Sequence, residues 1–324
     1  MAVDMEKQVV AGHVPSVSGR SPGVPTVSVV IPVYNQEPYL AECLDSVLAQ
    51  TLREIEVVCV DDGSTDSSGR MLDDYAARDS RVVVIHQANA GPGRARNVGI
   101  ERARGAFVAF MDPDDKYPDE DVLRDLHRGL SANGVEICCG GMCAVGGEPL
   151  EREFTFERDG LLDYADYQFE FGYYRALFAK ELLDRERIRF PDLRRFQDVP
   201  FFVRAMHSAG RFYALSRLTY TLRLGHQDID WTANGCRKAL DNVDGLFMVY
   251  DLARAYGYER MAARIRRRAL DFTKHLGCRL DSVQEQLAEA HREIIDIKTG
   301  VSFRLGMFLT APLRKARRLL KGAK

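Results

Sequence analysis

The chain has 324 residues, a formal net charge of −2, and 46% hydrophobic and 28% charged residues. This is the balance of an ordinary globular protein, and the near-zero charge excludes a molecule built as a whole for nucleic acid. Seven cysteines at irregular spacing argue against a disulfide scaffold and for reduced thiols in a cytoplasm, and no run of about 20 apolar residues suggests a spanning helix.

Residues 1–25 carry early acids, frequent Gly, Pro and Ser, and no apolar h-region, so they are expected to be a mobile leader and not a secretory signal. TVSVVIPV (26–33) is the β-branched run of a buried strand. EPYLAECLDSVLAQ (37–50) sets Leu40, Cys43, Leu44, Val47 and Leu48 on one helical face. REIEVVCV (53–60) is a second strand. DDGSTDSSGRMLDDYAARD reads as a polar turn and then a helix capped near Ser64 or Thr65. RVVVIHQ (81–87) is a third strand, NAGPGRARNVGIERARG a turn opening a helix, and AFVAFM (106–111) a fourth strand. Strand and helix alternating at this rhythm predict parallel strands joined by crossover helices, with ligands beyond the carboxyl ends of the strands.

Polar residues stand at those ends: YNQE, DDGSTD, NAGPGRARN and DPDD. Four polar strand ends on one sheet edge are more specific than any one of them. VLRDLHRGLSAN is a further helix, and VEICCGGMCAV (135–145) a strand whose Cys138, Cys139 and Cys143 are expected as core thiols, since no second Cys or His cluster completes a zinc set. Residues 146–235 are mixed. LRRFQDVPFFVRAMHSAG (193–210) runs from loop into a helix with Phe201, Phe202, Ala205 and Met206 inward, and RFYALSRLTYTLRLGH follows as short strands. From about Cys236 the pattern is helical.

Asp112 and Asp114, one residue apart just past a strand, can face one point. Their repulsion would be relieved by a divalent cation, and all-oxygen ligation suits Mg2+ or Mn2+. The alternative is a solvated acidic turn. Asp61 and Asp62 can accept from a ribose or a base N–H, or cap the next helix together with Asp66. Arg94 and Arg96 at a helix start can attract phosphate. Neither a Walker A loop nor a GxGxxG turn is present, which argues against nicotinamide and flavin chemistry.

In order and spacing, VSVVIPVYNQEPYLAECLDSVLAQT, VVCVDDGSTDSS and NAGPGRARNVGIERARGAFVAFMDPDD resemble family-two glycosyltransferases over roughly residues 26–225. The resemblance implies an α/β architecture of the GT-A fold: a Rossmann-like, mostly parallel sheet flanked by helices. The expected divisions are a leader (1–25), a catalytic domain (26–235), a C-terminal helical extension (236–302) and a basic amphipathic tail (303–324). It also implies a metal-dependent, inverting hexosyl transfer from a nucleotide-sugar donor, a UDP-sugar at family level. The hydroxyl acceptor would be a glycan or a lipid-linked molecule in surface polysaccharide or glycoconjugate synthesis.

By the same resemblance, Pro32, Tyr34 and Glu37 match the loop that meets the nucleoside, and Asp62, with its neighbour Asp61, matches the acid at the base. Asn89 and Arg96 match the helix start near the donor, and Asp112 and Asp114 the D-x-D ligands of metal and diphosphate. Asp115 is an extra acid after that pair. In RRFQDVPFF, Asp198 matches the general base, while Gln197 replaces the usual Glu. Asp198 equally suits a helix start with Pro200 in the first turn.

His226 and Trp231 are candidates for the diphosphate and for a sugar face, each with a structural alternative, as is the aromatic stretch 164–178 for the acceptor. The last 22 residues, FRLGMFLTAPLRKARRLLKGAK, hold seven Lys or Arg and no acid. They suit an interfacial helix on anionic lipid, placing the protein in the cytoplasm or peripherally on the inner face of the cell membrane. The competing readings are a sugar nucleotidyltransferase, whose early Gly-rich Arg/Lys signature is missing, and an inactive scaffold, which Asp112, Asp114 and Asp198 oppose.

Overall fold

The computed structural model describes residues 23–145, 155–224 and 233–284. Most of the expected leader, His226, Trp231, the end of the expected helical region and the tail 303–324 lie outside these residues.

β1 (Val27–Val33), β2 (Ile55–Asp61), β3 (Val82–His86) and β4 (Phe107–Phe110) are parallel and lie in the order β3-β2-β1-β4. α1 (Leu40–Leu48), α2 (Ser68–Arg78) and α3 (Pro92–Arg102) are the crossovers between them. β1, β2 and β4 are buried along their whole length, as unbroken β-branched and aromatic runs require when helices cover the sheet. After α4 (Val122–Asn133) come β5 (Ile137–Ala144), β6 (Gly160–Asp163), α5 (Tyr164–Tyr167), a 3-10 turn (Tyr173–Arg175), β7 (Ala176–Ala179), α6 (Lys180–Arg185), α7 (Asp198–Ala209) and β8 (Arg211–Leu222). The sheet continues β4-β7-β5-β8-β6. Here it is mixed: β4–β7, β7–β5 and β8–β6 are antiparallel and β5–β8 is parallel. The mostly parallel expectation therefore describes its first half.

Two boundaries differ from the sequence expectation. α2 begins at Ser68, because residues 64–67 are bonded to the loop after β1. The expected short strands of 211–222 are one strand, whose register against β5 shifts around Gly141. A bulge there keeps a long strand paired while changing its direction. Cys138, Cys139 and Cys143 are buried in β5, and burial pushes the Cys139 thiol up to about 12. Among the described residues no group of three His, Cys, Asp or Glu could hold a metal, and no helix is long and apolar enough to cross a membrane.

The chain divides into two compact units. The whole sheet belongs to the first, formed from Met1–Tyr167, Gly172–Arg189 and Arg204–His226. The second takes Gln168–Phe171, Phe190–Val203 and the chain from Gln227 onward. Within the second, α8 (Ala233–Ala255) and α9 (Glu259–Gln284) pack together. Buried Glu170 pairs with Arg264 at 2.5 Å, Arg268 lies over the Phe171 ring, and Phe190 stacks on Phe201. Segments distant in sequence are thus tied to the helical pair by charge and aromatic contact.

Candidate functional site

The strand order reverses between β1 and β4: the chain steps outward from β1 to β2 to β3, then returns to pair β4 with β1. The loops leaving β1 and β4 therefore diverge, and the crevice between them is the expected ligand position in such a sheet. Tyr34 follows β1 and is exposed; Asp112 follows β4 and is half-buried. Pro32 is buried within β1, paired with Val60, so it shapes the strand end rather than facing solvent.

The loop after β1 is bonded to the loop after β2. Asn35 Oδ1 accepts from Thr65 N at 2.7 Å, Ser64 Oγ accepts from Asn35 N, and Ser68 Oγ accepts from Gln36 N at 2.8 Å. Glu37 Oε2 accepts from Ser67 N at 3.0 Å, next to the start of α2, and Asp66 bridges Glu37 N and Ser68 N. Glu37 and Asp66 thus satisfy amides that the helix cannot. Asp62 is buried and accepts three hydrogen bonds: Gln87 Nε2 at 2.7 Å and Ala90 N at 2.8 Å on Oδ1, and Gly91 N at 2.8 Å on Oδ2. It fixes the loop leading into α3, on which Asn89 is exposed. Asp61 accepts from Ser64 N at 3.0 Å and from His86 at 2.8 Å. Burial pushes the Asp61 carboxyl up, but these bonds outweigh burial and hold it below the usual range. Each carboxylate keeps lone-pair capacity for a further donor.

Asp112–Asp115 is a turn closed by Asp115 N to Asp112 O at 3.0 Å. Asp112 Oδ1 takes the Arg96 guanidinium at 2.5 Å and Tyr173 OH at 3.1 Å, and Arg96 lies over the Tyr173 ring. Both contacts fall on Oδ1, leaving Oδ2 to face another partner. Arg96 is buried one turn into α3, so its charge is held close to Asp112. Asp115 is buried with both oxygens engaged, by Tyr220 OH at 2.8 Å and Arg223 N at 2.7 Å. It is built into the scaffold; Asp114 beside it is also buried, and Asp112 is half-buried. The Arg223 side chain donates to Asp114 O and to Glu42 and stacks on Tyr39, tying the acidic turn to α1.

Burial, then the charge of Asp112, pushes the Asp115 carboxyl up, with Asp114 adding to it. The same three acids add to the burial that raises the Cys43 thiol beneath them. Three carboxylates thus crowd one turn, and Asp112 and Asp114 disfavour the ionisation of Asp115. Two carboxylates one residue apart fit the chemistry of a divalent cation site completed by phosphate and water.

Tyr173 was foreseen only within the aromatic stretch 164–178, and Tyr220 and Arg223 not at all as site residues. They lie 61, 108 and 109 positions from the acids they meet, beyond any local spacing signal. Asp198 is the first residue of α7 and belongs to the second unit, with buried Gln197 before it. In the aromatic stretch 164–178, Tyr164, Tyr173 and Phe178 are buried and Tyr167 is exposed.

Residues 28–211 match the profile of Glycosyl transferase family 2. The chain is 35% identical over 212 residues to the uncharacterized glycosyltransferase EpsJ of Bacillus subtilis, covering 62% of this chain and 61% of EpsJ. It is 36% identical over 170 residues to the poly(ribitol-phosphate) beta-glucosyltransferase of Bacillus spizizenii, covering 51% and 27%. In both cases it spans less than two thirds of the relative's length. Among solved structures it resembles S. aureus TarS 1–349 in complex with UDP-GlcNAc, with TM-score 0.66, 25% identity, and coverage of 84% of this chain and 81% of that one.

Proposed function

The chain belongs to glycosyl transferase family 2, and from that membership we propose that it transfers a sugar from a nucleotide-diphosphate donor to a hydroxyl acceptor in polysaccharide or glycoconjugate synthesis, with inversion at the anomeric carbon. Its mixed sheet with flanking helices is of the GT-A type. The observation that carries the reading is the acidic turn at the β1/β4 switch point, where Asp112 is anchored on one oxygen by Arg96 and Tyr173 and crowded by the carboxylate of Asp115. A UDP-sugar is the favoured donor because the TarS neighbour holds UDP-GlcNAc. A polymeric or lipid-linked acceptor accords with the poly(ribitol-phosphate) enzyme among the relatives.

In this reading Tyr34, Asp61, Asp62 and Asn89 meet the nucleoside side of the donor, with Pro32 and Glu37 shaping the loop that presents them. Asp112 and Asp114 are the residues that would hold a Mg2+ or Mn2+ ion. When bound, that ion supplies Lewis-acid stabilisation of the leaving diphosphate. Asp198 takes the proton of the acceptor hydroxyl as it attacks, which a carboxylate does without further activation. One in-line displacement inverts the centre. The basic tail, 303–324, docks the protein on an anionic membrane surface, where a lipid-linked acceptor would be presented.

The test is hydrolysis of UDP-GlcNAc with Mn2+, alongside UDP binding followed by thermal stabilisation. Asp112→Ala is expected to lose both UDP stabilisation and, by about 10²-fold, turnover. Asp198→Ala is expected to keep UDP stabilisation and lose about 10²-fold in turnover. Equal activity in all three proteins would overturn the assignment.

A further inference from the structure

His86 is the last residue of β3 and stands opposite Asp61, the last residue of β2, in the parallel register. Its Nδ1 lies 2.8 Å from Asp61 Oδ2, and its Nε2 lies 3.0 Å from Asp73 Oδ1 on α2. The helix can come this close because residue 69 is glycine. A Cβ there would stand 3.0 Å from Asp61 Oδ2 and 3.7 Å from His86 Cε1.

The charged groups acting on the ring are these two carboxylates, one from β2 and one from α2. A neutral imidazole has one N–H and one lone pair, so between two carboxylates it can donate to only one of them. The other contact would set a lone pair against an acceptor. Only the imidazolium donates to both. The hydrogen bond to Asp61, then that to Asp73, accordingly raises the His86 pKa above its ordinary value.

We propose that His86 is a positioning residue for the donor nucleoside: as the imidazolium it ties α2 to Asp61 and fixes the Asp61 carboxylate at the strand-end edge, and loss of its proton breaks one of the two ties and weakens donor binding. This rests on the reading of Asp61 as a donor contact. Because the folded-state pKa is raised, the tie is complete below the ordinary histidine value and is lost as pH rises through the raised one. Asp61, held below the usual carboxylate range, stays ionised throughout.

The test is calorimetric titration of the full chain with UDP and Mg2+ from about pH 6 to about pH 9. It compares wild type with His86→Ala, His86→Asn, Asp73→Asn and Asp61→Asn, each first checked for cooperative thermal unfolding. The ligand's own titrations are common to all five proteins and cancel in the ratio of variant Kd to wild-type Kd. For His86→Ala that ratio is expected to be about fivefold at the acid end and to close toward one at the alkaline end. His86→Asn replaces Nδ1–H with an amide N–H that does not titrate and leaves Asp73 untied, so it should bind more weakly than wild type at the acid end and match wild type at the alkaline end, where the neutral ring also keeps one tie. Asp73→Asn, at an exposed position, should move the loss of affinity to lower pH.

If Asp61→Asn weakens UDP binding while the His86 ratios are flat across pH or equal to one, the tie is overturned and the donor reading stands. If Asp61→Asn binds UDP as wild type does, Asp61 is not at the donor, and the inference falls with that reading.

Discussion

Asp62 accepts three hydrogen bonds from one loop, and every donor lies between Gln87 and Gly91. A buried carboxylate in that position does the work a short helix cap would do, because bonds to a charged acceptor are stronger than neutral ones. Asn in its place would offer one acceptor oxygen and turn an N–H toward an N–H. Asp62→Asn is therefore expected to cost about 2–3 kcal/mol in urea unfolding and to weaken UDP binding through the same loop. Loss of UDP affinity with unchanged stability would mean that Asp62 touches the donor directly and does not brace the loop. The DPDD cluster was legible as a candidate site because its charge density is local. What anchors each acid was not, since Tyr173, Tyr220 and Arg223 arrive from other strands and turns.

At the scale of elements, α3 decides where Arg96 stands. The helix lies against β1 so closely that a Cβ on Gly99 would be 2.2 Å from Val30 Cγ1. Gly99→Ala gains about 1 kcal/mol of helix propensity but overpacks the helix against a buried strand. A net loss of about 1–2 kcal/mol is expected from the denaturation midpoint. The displaced helix should also lengthen the Arg96–Asp112 pair and lower UDP affinity. Unchanged stability would show that the helix can lift without disturbing its contacts. α3 was readable from Pro92 at its first turn and from the Gly/Pro turn before it. The late start of α2 was not, because Ser64, Thr65 and Asp66 bond across to residues 35–37 and not to their own helix.

For the molecule as a whole, the sheet and its strand-end site belong to one compact unit, while Asp198 opens α7 in the other. The residues of the proposed membrane contact, 303–324, lie outside the described residues. Removing 303–324 is therefore expected to leave UDP stabilisation intact and to abolish sedimentation with vesicles rich in anionic lipid. Binding that survives the deletion would place the membrane contact elsewhere or remove it. High salt should weaken binding of the full chain, because screening reduces attraction between exposed charges.

The sequence by itself determined the parallel half of the sheet, its crossovers and the polar character of four strand ends. Those features follow from period, β-branched runs and turn residues, which are local properties of the chain. Only the tertiary structure decided the mixed half of the sheet, in which β7 enters between β4 and β5 although it follows them in sequence. It also decided that Asp115 of the DPDD turn is scaffold, with both oxygens engaged by Tyr220 and Arg223. Strand pairing and buried hydrogen bonds depend on partners about a hundred residues away, and no periodicity records which partner a buried polar group will find.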